Sequence, residues 1–343
     1  NKIRRLAMSY CLGNLAKDAI DQEAFIHDYK SIIWQLNGVN ETVHLLKAGK
    51  VHPIAPYDDI APFIDQIENE NEFLIPEQLV ELQKNIQVSS EIESFFREET
   101  QKAYIQLKET SKNITPLHDL MDKIDQVIDD HGEIKSSASV KLGAIRSSIR
   151  SKQGELDKLF SKILKKYKKS GLLADNAESI KYGRRVLCLP VENKRKIDGI
   201  IHAESSSGKT IFMEPKEITL LNNQISELRI DEKNEIYRIL RELTSEILPF
   251  ADDLLENQKW IIQFDLWYAK SKLAIEMDAI YPEIEDKPAF NYFKARHPYL
   301  YIQNKKQGRD TIPFDLYLNH KNRMILLSGP NAGGKTVCLK TVG

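Results

Sequence analysis

Met324-Ile325-Leu326-Leu327-Ser328-Gly329-Pro330-Asn331-Ala332-Gly333-Gly334-Lys335-Thr336-Val337-Cys338-Leu339-Lys340-Thr341-Val342 is the stretch on which the reading of this chain turns. Residues 329–336 fit G-x-x-x-x-G-K-[ST] at every fixed position. The apolar run Met324–Leu327 predicts a strand entering the loop, and Val337–Val342 predicts the first turns of a helix leaving it. Glycines let backbone N–H groups turn inward with no Cβ in the way, and a helix N-terminus adds a positive dipole end. Lys335 would supply a mobile cation to the β- and γ-phosphates, and the Thr336 hydroxyl would ligate Mg²⁺ held with the nucleotide. Gly329, Pro330, Asn331, Ala332, Gly333, Gly334, Lys335 and Thr336 are therefore the expected nucleotide site, with ATP and Mg²⁺ as cofactors.

Ser205-Ser206-Ser207-Gly208-Lys209-Thr210 also contains Gly-Lys-Thr, but the first glycine of a phosphate loop would fall on Ala203. Strand-like runs flank it on both sides, which predicts a hairpin turn. An ATPase of this class also needs a downstream apolar strand ending in an acidic residue, to hold Mg²⁺ and position water. Only seven residues follow Thr336, and Ile261–Asp265 upstream lies in a helical pattern. No catalytic residue is expected in the chain, which should hold phosphates without hydrolysing ATP alone.

Upstream, apolar spacing predicts helices. Pro53, Pro56 and Pro62 mark a loop; Leu79, Leu82, Ile86, Ile92 and Phe95/Phe96 then recur at helical spacing, as do Leu117, Leu120, Ile124, Val127 and Ile128. Ile145, Ile149, Leu156, Leu159, Ile163 and Tyr167 form one narrow stripe that stops at Gly171. Ile218, Leu221, Ile225, Leu228, Ile236, Ile239, Leu243 and Ile247 form a second, stopped by Pro249. Two long seam-bearing helices predict an antiparallel coiled-coil arm. Between them, Arg184–Pro190, Lys196–Ala203 and Thr210–Glu214 read as strands of a small β-rich tip. A further helix is expected over 250–280, with Leu254, Ile261, Phe264, Trp267 and Leu273 in the core. After Pro282 and Pro288, strands are expected at Phe290–Lys294, Tyr299–Gln303, Asp315–Leu318 and Met324–Leu327.

The 343 residues are enough for two or three domains, and 41% hydrophobic with 29% charged is the composition of a globular protein. No apolar stretch approaches the roughly 18 residues of a membrane span, and the N-terminus has no signal-peptide pattern. The chain begins with Asn1, so residues upstream are expected. Cys11, Cys188 and Cys338 have no paired spacing, which predicts reduced thiols in a cytoplasmic protein. The eight histidines are dispersed, and His131 after Asp129-Asp130 reads as a loop rather than a metal site.

Charge is distributed unevenly. Residues 141–196 carry 16 Lys and Arg against five Asp and Glu, while residues 1–140 carry 14 against 24. A block at +11 inside an acidic protein is a candidate footprint for a polyanion; the alternative is a solvated lysine-rich helix face.

Gly-Pro-Asn-Ala-Gly-Gly-Lys-Thr resembles the phosphate loop of the MutS family of DNA mismatch-repair ATPases, and Gly333–Gly343 is similar to its second bacterial branch, MutS-two. Ala295–Leu300 (ARHPYL) resembles the entry to that family's ATPase domain, and Arg184–Pro215 with Leu221-Asn222-Asn223 resembles the branch's clamp segment. The resemblance implies a mainly α, multidomain N-terminal fragment. A helical core over 1–135 would be followed by lever helices over 136–248 with a β-rich clamp tip at about 172–215. The core would return over 249–285, and 286–343 would start an α/β P-loop ATPase domain. It also implies a homodimer, and a C-terminal nuclease domain outside this chain. The mismatch-reading domain of true MutS is not represented. On this resemblance Lys165, Lys166, Lys168, Lys169, Arg184, Arg185, Lys194, Arg195 and Lys196 are the expected backbone contacts to nucleic acid. The implied activity is ATP-dependent action on branched DNA that suppresses recombination. The alternative is a factor that binds collided ribosomes through ribosomal RNA. A chromosome-structure ATPase is disfavoured because its phosphate loop would precede the arm. A helical scaffold with a vestigial loop is the remaining alternative.

Overall fold

The computed structural model describes residues 2–68, 72–99, 103–129, 131–285, 290–319, 321, 323–330 and 333–342. In chain order its elements are α1 (Lys2–Met8), α2 (Asn14–Gln22), α3 (Tyr29–Lys47), α4 (Ala61–Ile67), α5 (Pro76–Glu98), α6 (Ile105–Ser111), α7 (His118–Val127) and α8 (Val140–Lys169). Strands β1 (Glu178–Lys181), β2 (Arg184–Pro190), β3 (Gly199–Glu204) and β4 (Thr210–Pro215) follow. Then come α9 (Lys216–Ile247), α10 (Ala251–Glu276), β5 (Phe290–Ala295), α11 (Pro298–Lys306), β6 (Phe314–Leu318) and α12 (Lys335–Val342). The chain is mainly α. It divides into two compact units, the first made of 1–70, 77–121 and 247–343, the second of 71–76 and 122–246. Among the described residues no helix is long and apolar enough to cross a membrane.

The first unit is built around α10. Its buried residues, from Leu254 through Asn257, Ile261, Phe264, Trp267, Ala269 and Ser271 to Leu273, cover about two thirds of the helix circumference, leaving exposed Asp252, Glu256 and Lys259 on the remaining face of its first turns. Such a helix must be packed on more than one side. On one side Phe264 and Trp267 pack with Leu45, Val88, Ile92, Phe96 and Tyr104 from α3, α5 and the approach to α6. On another, Ala269 and Leu273 pack with Ala7, Ala16 and Ile20 of α1 and α2 and with Ile302 of α11. The polar residues among them hold loops. Asp265 accepts hydrogen bonds from the N–H groups of Leu12 (3.0 Å) and Gly13 (2.9 Å) and from the Tyr57 hydroxyl (3.2 Å). Asn257 exchanges two bonds with the backbone of Thr115, both 2.9 Å. Gln258 accepts from Ile60 N–H at 3.1 Å, and Ser271 donates to the Val39 carbonyl at 2.8 Å.

Two expectations for the end of this unit do not hold. Tyr299–Gln303 is not a strand but the middle of α11. His297 caps that helix by accepting from Leu300 N–H at 3.3 Å, Pro298 occupies its first turn, and Gly308 follows it at φ +67. Those start and stop signals override the short alternation of apolar residues. Met324–Leu327 forms no strand either. An all-apolar strand needs neighbours and cover on both faces. Here β5 and β6 pair with each other, antiparallel, and leave Met324 93% and Leu326 94% exposed.

In the second unit the chain forms an antiparallel sheet of order β1-β2-β4-β3. The strand expected from Lys196 begins at Gly199, and β1, whose polar Glu-Ser-Ile-Lys sequence gave no signal, completes the edge. Ser205–Gly208 turns the β3–β4 hairpin, as expected, with Ser205 N–H on the Thr210 carbonyl at 2.7 Å. Helices α8 and α9 run antiparallel. Ser139 and Arg146 pair with Glu235 and Glu232 toward one end, while Leu156, Phe160 and Ile163 share a core with Ile225, Ile218 and the sheet residues Leu187, Leu189, Ile211 and Met213. Ser139 caps α8, accepting from Leu142 N–H at 2.9 Å. Gly171, at φ +66, ends it.

Gly38 of α3 lies against Trp267, and a Cβ there would fall 2.2 Å from the indole. Alanine is the better helix former by about 1 kcal/mol, but overpacking costs about 1–3 kcal/mol or more. The difference leaves Gly38→Ala lowering the unfolding free energy by up to about 2 kcal/mol in denaturant titration; a gain would refute the contact. A second prediction concerns His52, fully enclosed by Phe96, Phe264 and Tyr268, whose Nε2 has no partner among the described residues. Burial lowers its pKa from 6.5 to about 3. The unfolded chain thus binds this proton more readily, and stability contributed by neutral His52 is present above pH 6.5 and lost as pH falls towards 3. Between pH 7 and 5 the loss is about 2 kcal/mol. His52→Leu should remove that slope; an unchanged slope would sink the assignment.

Candidate nucleotide and nucleic-acid sites

The glycine-rich loop reaches α12 through two glycines in conformations other residues avoid, Gly329 at φ +149 and Gly334 at φ +83. Gly333 N–H donates to the Pro330 carbonyl at 2.9 Å and closes the turn. Asn331 and Ala332 lie outside the described residues. Lys335 opens α12 and folds back over the loop, its Nζ donating to the carbonyls of Gly329 and of Pro330, the latter at 3.1 Å. Thr336 follows in the first turn with an exposed side chain. An ammonium over a glycine turn and a hydroxyl one residue on suit a phosphate and its divalent cation in kind. Cys338 N–H bonds to the Gly334 carbonyl at 3.0 Å, so the helix is regular from its start.

The nine basic residues singled out from the sequence separate into two sets. Lys165, Lys166, Lys168 and Lys169 line the last turns of α8, exposed and without a carboxylate partner among the described residues. Lys166 lies over the Tyr167 ring at 4.9 Å. Lys194, Arg195 and Lys196 are exposed in the turn between β2 and β3. Asn193, buried just before them, donates to the Leu172 carbonyl at 3.0 Å, and Lys196 donates to Asn193 at 2.9 Å. That amide fastens the second group of cations to the chain three residues past Lys169.

Arg184 and Arg185 are engaged within the unit. Arg184 donates to both oxygens of Glu214 at 3.1 and 3.0 Å and to Asn223 at 2.8 Å. Arg185 joins Asp157 at 2.8 Å and Glu178 at 2.5 Å, and stacks over Phe160 at 4.4 Å. The centre of the first network is Glu214, completely buried in β4, which also accepts from Asn222 at 2.9 Å and meets His202 Nε2 at 2.5 Å. Burial alone would raise the Glu214 pKa; the hydrogen bonds from Asn222, His202 and Arg184 outweigh it and hold the carboxyl below its ordinary range. The sequence reading missed Glu214, His202 and Asn222. The available signal was a glutamate closing the apolar run Thr210–Met213.

Removing one partner of a buried ion pair leaves the others uncompensated, typically at a cost of about 3–5 kcal/mol. With Arg184 partly exposed, Glu214→Gln is expected to destabilise the second unit by about 3 kcal/mol. A change below about 0.5 kcal/mol would mean the network is not holding β2, β4 and α9 together.

No protein-family model matches the chain. Curated relatives do. A protein named Endonuclease MutS2 from Clostridium beijerinckii is 33% identical over 344 residues, covering 100% of this chain and 43% of that protein. Proteins of the same name from Lactococcus lactis subsp. lactis and Halothermothrix orenii are each 36% identical, over 87% and 74% of the chain and 36% and 31% of their own lengths. The chain thus spans less than half the length of these relatives. Because the likeness to the first runs through paired helices, sheet, α10 and phosphate loop alike, and not through the loop alone, the chain belongs to the MutS2 branch of the MutS family.

Proposed function

We propose that this chain grips polynucleotide backbone for an ATP-driven protein that acts on branched DNA. The observation that carries the reading is the Asn193–Leu172 bond. It ties Lys194, Arg195 and Lys196 to the lysine-rich end of α8, and none of these cations is neutralised by a carboxylate among the described residues. Such a surface contacts phosphates without reading bases. Arg184 and Arg185 support it indirectly, since their carboxylate partners fix β2 against β4 and α8.

In this reading α8 and α9 act as levers carrying the sheet as a clamp. Gly329–Thr336 bind ATP: the loop and Lys335 hold the phosphates, and Thr336 orients the bound Mg²⁺. When bound, Mg²⁺ offsets phosphate charge. Hydrolysis is completed across a homodimer by residues outside this chain, and the outcome is suppression of recombination. The endonuclease activity in the relatives' names is proposed for the whole protein, not for these residues. No feature of the described residues favours the ribosome alternative.

Binding of a four-way DNA junction and of a matched duplex, each across a salt series, tests the grip. Junction binding is expected to be the tighter, with a steep slope of log K against log salt. Each lost phosphate contact removes about 0.9 from that slope, so replacing Lys165, Lys166, Lys168 and Lys169 together with Gln should lower it by about 3–4. An unchanged slope overturns the assignment. For the nucleotide site, Lys335→Ala should abolish binding of a fluorescent ATP analogue; retained binding overturns it.

A further inference from the structure

The turn between β1 and β2 is a two-residue hairpin, Tyr182-Gly183, with Lys181 paired to Arg184. Both residues have positive φ, +52 and +75, the type I′ geometry that favours Asn-Gly. A tyrosine there is strained, and residues held in such conformations cluster at ligand-binding and functional sites. The ring is 82% exposed and stacks on no other ring among the described residues. It stands at a groove of about 610 Å³ bounded by α8, α9 and the hairpin, within the size range of small-molecule pockets. Leu156 and Ile225 give the groove an apolar floor. Gln153 on α8 presents an amide, and Arg229 on α9 a guanidinium, neither with a partner among the described residues. The Arg229 Nη1 packs 3.3 Å from where a Cβ on Gly183 would lie, so the cation sits against the turn itself. One turn from Arg146, which pairs with Glu232 across the helices, Arg150 is also exposed and unpaired, on the same face of α8.

We infer that this groove takes an unpaired nucleobase, stacked on Tyr182, with Gln153 on the base edge and Arg229 on the adjoining phosphate. An aromatic platform, an amide that both donates and accepts, and a free arginine are the chemistry by which single-stranded nucleic acid is held. The inference rests on the polyanion reading above and adds to it a preference for unstacked bases, such as those at a branch point.

The test compares binding of this chain to single-stranded oligothymidine and to duplex of equal length, over a salt series. Wild type should favour the single strand. Tyr182→Ala should weaken single-strand binding about tenfold, leaving duplex affinity and salt slope unchanged. Tyr182→Phe should retain the preference. Tyr182→Asn, which suits the turn better, should unfold at a higher temperature than wild type and still lose the preference, separating the ring's use from folding. Equal affinities in wild type, or a preference that survives both Ala and Asn, overturn the base pocket while leaving backbone gripping intact. No binding to either nucleic acid, at any salt, overturns the polyanion reading and the pocket with it.

Discussion

Asp265 sits, completely buried, in the middle of the helix around which the first unit packs, and the loop between α1 and α2 hangs from its carboxylate. Burial raises its pKa against the bonds from Gly13, Leu12 and Tyr57 that lower it. Burying an ion costs several kcal/mol unless it is well bonded, and here the N–H of Gly13 lets Asp265 do for α2 what a capping side chain would do locally. The glycine cannot be replaced to supply a cap, because a Cβ at residue 13 would fall 2.3 Å from the Tyr57 ring. The same helix holds the approach to α7 through Asn257, the start of α4 through Gln258 and the middle of α3 through Ser271. Tertiary structure in this unit is thus organised by polar groups on one apolar rod, each fastening a segment far away in sequence.

This explains what was and was not legible in the sequence. The stripes Ile145–Tyr167 and Ile218–Ile247 gave α8 and α9 because a 3.6-residue period is written locally. Leu254 to Leu273 gave α10 for the same reason. The β3–β4 hairpin followed from apolar runs around Ser205–Gly208. By contrast, the ambiguous run of Tyr and Ile in α11 reads as a strand, and it is the capping by His297 and Pro298 in the first turn that make it a helix. The carboxylates that matter were invisible. Asp265 meets partners more than 200 residues away, and Glu214 gathers Arg184, His202 and Asn222 from separate elements.

The candidate sites were legible to different degrees. The spacing of Gly329, Gly334 and Lys335 is itself the pattern, and the positive φ at both glycines agrees with the residue types. The basic block was a count, and a count does not tell a paired cation from a free one. Arg184 and Arg185 are spent on Glu214, Glu178 and Asp157, whereas the lysines beyond Phe160 on α8 are not. The difference is geometric. β2 points its arginines at carboxylates on neighbouring elements, while the lysines at the end of α8 meet no carboxylate among the described residues. Only the second set can exchange solvent counterions for phosphate.

The chain contains Gly-Lys-Thr twice, and in both copies the glycine has positive φ, +67 at Gly208 and +83 at Gly334. The two differ in what the following amides have left to give. After Gly208 the backbone enters β4 between two strands, and its N–H groups go to neighbouring carbonyls along the ladder. After Gly334 it enters a helix, whose first N–H groups have no carbonyl behind them to accept. Identical letters therefore yield a saturated turn in one place and a surplus of aligned donors in the other. Anion affinity in such loops is a matter of unspent hydrogen-bonding capacity, which three residues of sequence cannot encode and the next element decides.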